Sequence, residues 1–192
     1  DAVAQFLMGL FEAGGPAESR GTNPSAREII ARGEARAHQL ERQPLVQARM
    51  LDTIGRVYGS LGLADRAEAL IREALTARQR HLPAEHADIA ASLQHLASVQ
   101  QEQGRYQDAE PFYAAALAMR RRTLGPEHPD VADSLSKYGM FVLRIHRDDR
   151  RAETLLREAV EIQRRAFGNG DPRLAVGLKA LAAVHDFRKE YD

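Results

Sequence analysis

The 192-residue chain contains no cysteine and no tryptophan. Without cysteine it has no disulfide framework, no zinc–thiolate site and no cysteine nucleophile. An excess of one charge sign is also missing: 27 Lys and Arg stand against 27 Asp and Glu, for a formal net charge of zero. Chains that coat nucleic acid or anionic lipid usually carry a basic excess, so the balance points away from both partners. No apolar run reaches the roughly 18 residues that a membrane span needs. The chain opens at Asp1 with no initiator Met, and no charged start, apolar stretch and small-residue cleavage site follow. A soluble, cytoplasmic piece of a longer protein is therefore expected. Alternation of β-branched residues is absent, so no strand is expected.

What the sequence does contain is repetition. The stretch Leu82-Pro83-Ala84-Glu85-His86-Ala87-Asp88 returns 42 residues later as Leu124-Gly125-Pro126-Glu127-His128-Pro129-Asp130. A weaker echo, Phe167-Gly168-Asn169-Gly170-Asp171-Pro172-Arg173, follows after a further 43. Leu51, Leu93, Leu135 and Leu178 keep the same register, as do Ile54, Leu96, Tyr138 and Leu181, and the small residues Gly55, Ala97, Gly139 and Ala182. A second set runs Ala67, Ala109, Ala152; Ile71, Tyr113, Leu156; and Ala74, Ala116, Ala159. The extra residue of the third unit falls between His146 and Ala152, where it is expected to lengthen a turn without disturbing a helix. A period near 40 residues is the signature of a stacked-repeat architecture.

Each unit reads as two helices. Leu93, Leu96, Ala97 and Gln100 recur at the three- and four-residue spacing of a single helical face. Gly104 stops that helix, Asp108 is placed to cap the next, and Pro111 is expected in its first turn. Gly125-Pro126 ends the second helix. At the N-terminal end, Phe6, Leu7, Leu10 and Phe11 form an apolar stripe on a short helix over residues 2–13, followed by a loop from Gly14 to Pro24. Ser25-Ala26-Arg27-Glu28 fits a capping box that starts a helix reaching about Arg42. Residues 1–44 thus read as a degenerate capping pair and 45–192 as the array, because terminal repeats are often atypical. Ala175 to about Arg188 is the first helix of a fourth unit, with Leu178 and Leu181 covered on one side only.

Leu-x-x-Leu-Ala, then Gly-Arg-Tyr-x-x-Ala-Glu, then a small residue seven further on, resembles the tetratricopeptide repeat. The 42-residue spacing and the Leu-Gly-Pro-Glu-His-Pro-Asp connector resemble the longer variant of kinesin light chains and many bacterial proteins. The resemblance covers Leu45 to Asp192 and implies an all-α, right-handed solenoid of antiparallel helix pairs. The opening, with Phe6-Leu7, Leu10-Phe11, Ala26-Arg27-Glu28-Ile29-Ile30 and Gln43-Pro44, is similar to the segment joining a bacterial serine/threonine kinase domain to such repeats. No kinase motif lies in this chain, so the resemblance implies only an alternative function, that of the regulatory or docking region of a kinase parent. The Asn pair that often follows the first Leu is replaced by Asp52-Thr53, Gln94-His95, Ser136-Lys137 and Lys179-Ala180.

No catalytic, cofactor or metal site is expected. His86 and His128 are related by the repeat and give way to Asp171, which marks a cap or turn element rather than half of a metal site. Gly15 to Thr22 lacks both the lysine and the preceding strand of a phosphate loop, and no Gly-x-Ser-x-Gly elbow occurs. The clusters Arg78-Gln79-Arg80, Arg120-Arg121-Arg122 and Gln163-Arg164-Arg165 recur at the ends of second helices, where cations complement the helix dipole. That recurrence outweighs a nucleic-acid stripe.

In such an array the first helices line the inner groove, as the resemblance implies. Their residues pointing away from the Leu/Ala seam are Arg49, Asp52, Arg56, Gln94, Ser98, Gln101, Asp133, Ser136, Met140, Leu143, Arg144, Lys179 and Phe187. Arg56 or Arg144 can hold a ligand carboxylate in a fork, while Met140, Leu143 and Phe187 form an adaptable apolar patch. The expected function is a non-catalytic module that takes a peptide or protein segment in this groove, since extended concave surfaces are what solenoids use. Self-association through the unpaired C-terminal helix is a further expectation.

Overall fold

The computed structural model describes residues 25–191. The helix and loop expected over residues 1–24 lie outside the described residues, as does most of the segment that resembles a kinase-following region. The described residues form eight α-helices and no strand. They are α1 (Ala26–His38), α2 (Pro44–Ser60), α3 (Ala64–His81), α4 (Ala87–Glu102), α5 (Tyr106–Leu124), α6 (Pro129–Phe141), α7 (Asp149–Phe167) and α8 (Pro172–Tyr191), with a π-helical turn at Val142–His146 continuing α6. The chain divides into two compact units, Asp1–Pro83 and Ala84–Asp192.

In the first unit α1 begins with the expected capping box. The Glu28 backbone N–H donates to Ser25 Oγ at 3.3 Å, and the Ser25 N–H donates to Glu28 at 2.7 Å. The helix stops at His38, four residues before the expected Arg42. Pro44 opens α2 and Gln43 ahead of it is held out of the helical region, so a turn must intervene. Helices α2 and α3 pack closely because Gly55 has no side chain: a Cβ there would lie 2.8 Å from Ile71 Cγ1. Leu51, Ile54, Tyr58, Leu70 and Ile71 fill the seam.

The second unit repeats this pairing with α4 on α5 and α6 on α7, and α8 follows against α7. Ala97 and Ala116 are fully buried and Gly139 is tight, its absent Cβ 2.8 Å from Leu156 Cγ. Leu96, Leu135, Phe141 and Leu156 are fully buried. Tyr113 and Tyr138 stack with centroids 6.1 Å apart, and Phe141 leans on both. On α8, Leu174 and Val184 are buried, whereas Leu178 stays 42% exposed. It holds the register of Leu135 without a second helix over it among the described residues.

The connectors work as caps. His86 Nδ1 accepts from the Asp88 N–H, His128 Nδ1 from the Asp130 N–H and Asp171 Oδ1 from the Arg173 N–H. A ring nitrogen two residues before the helical amide satisfies a free N–H of the first turn.

Three local expectations need correction. Helix α5 starts at Tyr106, so Asp108 lies within its first turn rather than at its cap, and Pro111 lies inside the helix. The extra residue of the third repeat lengthens a helix, not a turn. It is absorbed in the π-helical turn, and Arg147 (φ 55°) then takes the left-handed position held by Gly104 (φ 75°) one repeat earlier. The recurring arginines divide by position. Arg121 and Arg122 are exposed, but Arg78 and Arg120 are buried.

Candidate partner-binding groove

Helix periodicity places a polar residue on the first-helix face every third or fourth position; the packing decides how deep each lies. In the first unit Arg49 and Arg56 are exposed. Asp52, expected on the same surface, is instead only 4% exposed and faces buried Arg78, with 3.4 Å between Oδ1 and Nη1.

The second unit carries the larger set. Gln94, one repeat on from Asp52, is also buried, 1% exposed. Its Oε1 accepts from Arg120 Nη1 (3.0 Å) and Ser134 Oγ (2.6 Å), and its Nε2 donates to Asp133 Oδ2 (2.6 Å). Arg120 Nη1 also reaches the Asp130 carbonyl at 2.9 Å and Asp133 Oδ2 at 3.2 Å. One guanidinium from α5 thereby ties α4 to the start of α6. Burial by itself would raise the Asp133 carboxyl, but Lys137, the Gln94 amide and Arg120 together hold it below the ordinary carboxylate range. Asp52 and Gln94 are therefore scaffold, not groove surface. Leu143 is likewise buried in the core. Once the π-helical turn has begun the repeat shift is 43, which gives Leu143 the place of buried Gln100.

The remaining expected residues of this unit stay at or near the surface, and most of them line two neighbouring cavities. The first, about 390 Å³, lies between α4, α6 and α8. Ser98, Gln101 and Glu102 form one wall, Asp133, Ser136, Lys137 and Met140 the next, with Val176 and Ala180 opposite and Tyr113 and Phe141 contributing behind. The Tyr113 hydroxyl donates to Gln101 Oε1 at 2.9 Å and lies 3.1 Å from Ser98 Oγ. Desolvation, with added repulsion from Glu102 and Asp133, pushes its phenol upward against the Ser98 hydrogen bond. Ser136 Oγ is buried without a hydrogen-bond partner among the described residues. Desolvation also raises the Glu102 carboxyl.

The second cavity, about 350 Å³, shares Met140 and adds Leu143, Arg144, Arg147, Ala183, Asp186 and Phe187. Lys179 is exposed and lines neither of these two cavities. Sequence reasoning missed Glu102 and Lys137. Each stands one turn beyond a residue that it did find, Ser98 and Asp133, so carrying those rows forward by four reaches both. Arg147 had no such signal, because its position depends on the π-helical turn.

Behind the groove, Tyr138 donates to Glu110 Oε1 at 2.9 Å, Arg151 bonds both, and His146 Nε2 lies 3.0 Å from Glu110 Oε2. Desolvation and the Glu110 carboxylate push the Tyr138 phenol up to about 12. This cluster fixes the residues on either side of the π-helical turn. Among the described residues no group of three or more acidic or histidine side chains is placed to hold a metal, and no helix is long and apolar enough to cross a membrane.

Paired helices in a repeated register, closed by small residues and capped connectors, define a helical-repeat protein. The sequence pattern of the tetratricopeptide repeat matches residues 47–88, 89–130 and 141–173, more than half of the chain. The chain belongs to the tetratricopeptide repeat family. No curated protein matches it. Among solved structures it is similar to BtubC (BKLC) from P. vanneervenii, at 24% identity and a TM-score of 0.70. That likeness covers 86% of this chain and 66% of the other, so the chain spans just under two thirds of that protein's length. It is also similar to a kinesin-light-chain-type protein of Podosopora anserina with nearly identical TPR-like repeats. The identity there is 20%, covering 99% of this chain and 84% of that one, with TM-scores of 0.68 and 0.66 in two crystal structures. At these identities the likeness establishes the fold, a TPR-like solenoid. Repeats of this family point to protein–protein interaction.

Proposed function

We propose that this chain is a non-catalytic interaction module of the cytoplasm that takes an extended peptide segment along the first-helix face of the unit Ala84–Asp192. In this reading residues 1–44 close the first repeat and the array 45–192 presents the recognition surface. The observation that carries the reading is the first cavity. It opens between successive first helices, and its lining combines apolar side chains (Met140, Phe141, Val176, Ala180) with hydroxyl, amide and charged groups. A mixed lining of this kind holds side chains of a passing strand while its polar groups fix their orientation. The buried Ser136 hydroxyl without a partner supports the same reading, because a ligand carbonyl or amide gives it the hydrogen bond that it lacks.

Selection of random dodecapeptides displayed on phage against the whole chain tests the proposal. Peptides enriched on the native chain, and lost on a Ser136→Arg/Met140→Glu variant of unchanged helicity, would support it. Equal enrichment on both would move binding off this face. Lysate capture with the same pair of baits, read by mass spectrometry, then identifies the natural client.

A further inference from the structure

The two cavities that share Met140 carry opposite charge. The first is lined by Glu102 and Asp133 against Lys137, one net negative charge. The second is lined by Arg144 and Arg147 against Asp186, one net positive charge. Within the first, Asp133 is already committed, to Lys137 at 3.6 Å, Arg120 at 3.2 Å and the Gln94 amide. Glu102 makes no hydrogen bond or ion pair among the described residues. It is the lining carboxylate left to meet a cation, and the cavity walls strip part of its hydration. In the second, Arg144 is exposed and likewise makes no ion pair among the described residues.

Both departures of the third repeat from its neighbours fall at the second cavity. The inserted residue forms the π-helical turn Val142–His146, which carries Arg144, and Arg147 occupies a left-handed position that Gly62 and Gly104 fill elsewhere. A non-glycine residue there is strained, and local strain of this kind tends to gather at functional sites. The strained residue supplies a second guanidinium to the same cavity.

The geometry points to a groove that reads an extended partner segment by charge order: a basic side chain in the cavity beside Glu102, an apolar side chain over Met140, and an acidic side chain in the cavity beside Arg144 and Arg147. Resting on the function proposed above, this adds the chemistry and direction of the ligand. Along α6 and the turn that continues it, the residues lining the two cavities are centred about six positions apart, or about 9 Å at 1.5 Å per residue. An extended strand advances about 3.3 Å per residue, so the basic and acidic positions stand about three residues apart. Arg guanidinium meets carboxylate bidentately at both ends, from the ligand in one cavity and from the protein in the other.

The test uses the same displayed random dodecapeptides on the whole chain and on a charge-exchanged Glu102→Arg/Arg144→Glu variant. Both sites are exposed, so the fold is retained, which far-UV circular dichroism checks. The expected result is enrichment on the native chain of peptides with one basic and one acidic residue three or four positions apart in a single order. The exchanged chain then enriches the opposite order, and a synthetic peptide of the native order binds it at least tenfold more weakly. Peptides that are lost on the Met140→Glu variant but show no charge order, or an order unchanged by the exchange, overturn this inference and leave groove binding standing. No enrichment over bare support on the native chain overturns both.

Discussion

Replacing Arg120 by Met removes the guanidinium that joins α4, α5 and α6 while keeping most of the aliphatic stem. The residue is 6% exposed, and its Nη1 lies within 3.2 Å of four acceptors, on Gln94, Asp130, Asp133 and Ser134. Two hydrogens serve those four oxygens, so the bonds are shared rather than additive. Breaking one partner out of a fully buried ion pair costs 3–5 kcal/mol. Here the Asp133 side chain is 48% exposed and keeps Lys137 and Gln94, so solvent screening lowers the expected loss to about 2–3 kcal/mol. Urea unfolding of the whole chain followed at 222 nm measures it. The pH dependence is a second readout. Asp133 is held below its ordinary range in the folded state. Its contribution is therefore present above the unfolded carboxylate value, near 3.9, and is lost as pH falls through the folded one. The variant weakens that contribution, so the stability gap should be widest at neutral pH and narrow below about pH 4. A gap under about 1 kcal/mol, or one constant from pH 7 to pH 3, would refute the clamp as described.

Other outcomes follow from the same geometry. Leu96→Ala, at a fully buried position, should cost about 2–5 kcal/mol in the same unfolding assay, while Leu178→Ala, in the same class of seam position but 42% exposed, should cost far less. Equal costs would mean that α8 is covered in solution. Gly139→Ala should destabilise by about 1–3 kcal/mol, because the new methyl meets Leu156 Cγ at 2.8 Å and outweighs the gain in helix propensity; thermal melts that rise instead would rule out the tight seam. Arg147→Gly removes the positive-φ strain together with one guanidinium, and should weaken any peptide selected through the second cavity. Ultraviolet titration should find Tyr138 ionising at about 12, with Tyr113 also above its ordinary value. The neutral form of Tyr138 bonds Glu110, so the stability it adds is complete below pH 10 and is lost as pH rises through about 12.

The repeat register was open to reading because it rests on local spacing. Leu51, Leu93 and Leu135 recur with small residues at Gly55, Ala97 and Gly139, and that alone specifies helix pairs with a close seam. The cap role of His86 and His128 was equally legible, since a polar side chain just before a helix has a local partner in the first-turn N–H groups. Side-chain depth was not. Arg120 and Gln94 look like any polar residues on an amphipathic helix. Their burial depends on Asp133 and Ser134, about 40 residues from Gln94, arriving on the next helix with matching acceptors. Nor did the one-residue insertion announce where it would be absorbed. A turn and a π-helical turn are both open to it, and the packing of Phe141, Val142 and Leu143 into one core selects the second. Sequence by itself therefore determined the architecture and its period. Tertiary packing alone decided which polar side chains became scaffold, which became groove, and how the two cavities acquired opposite charge, because burial and charge pairing depend on neighbours that only folding brings together.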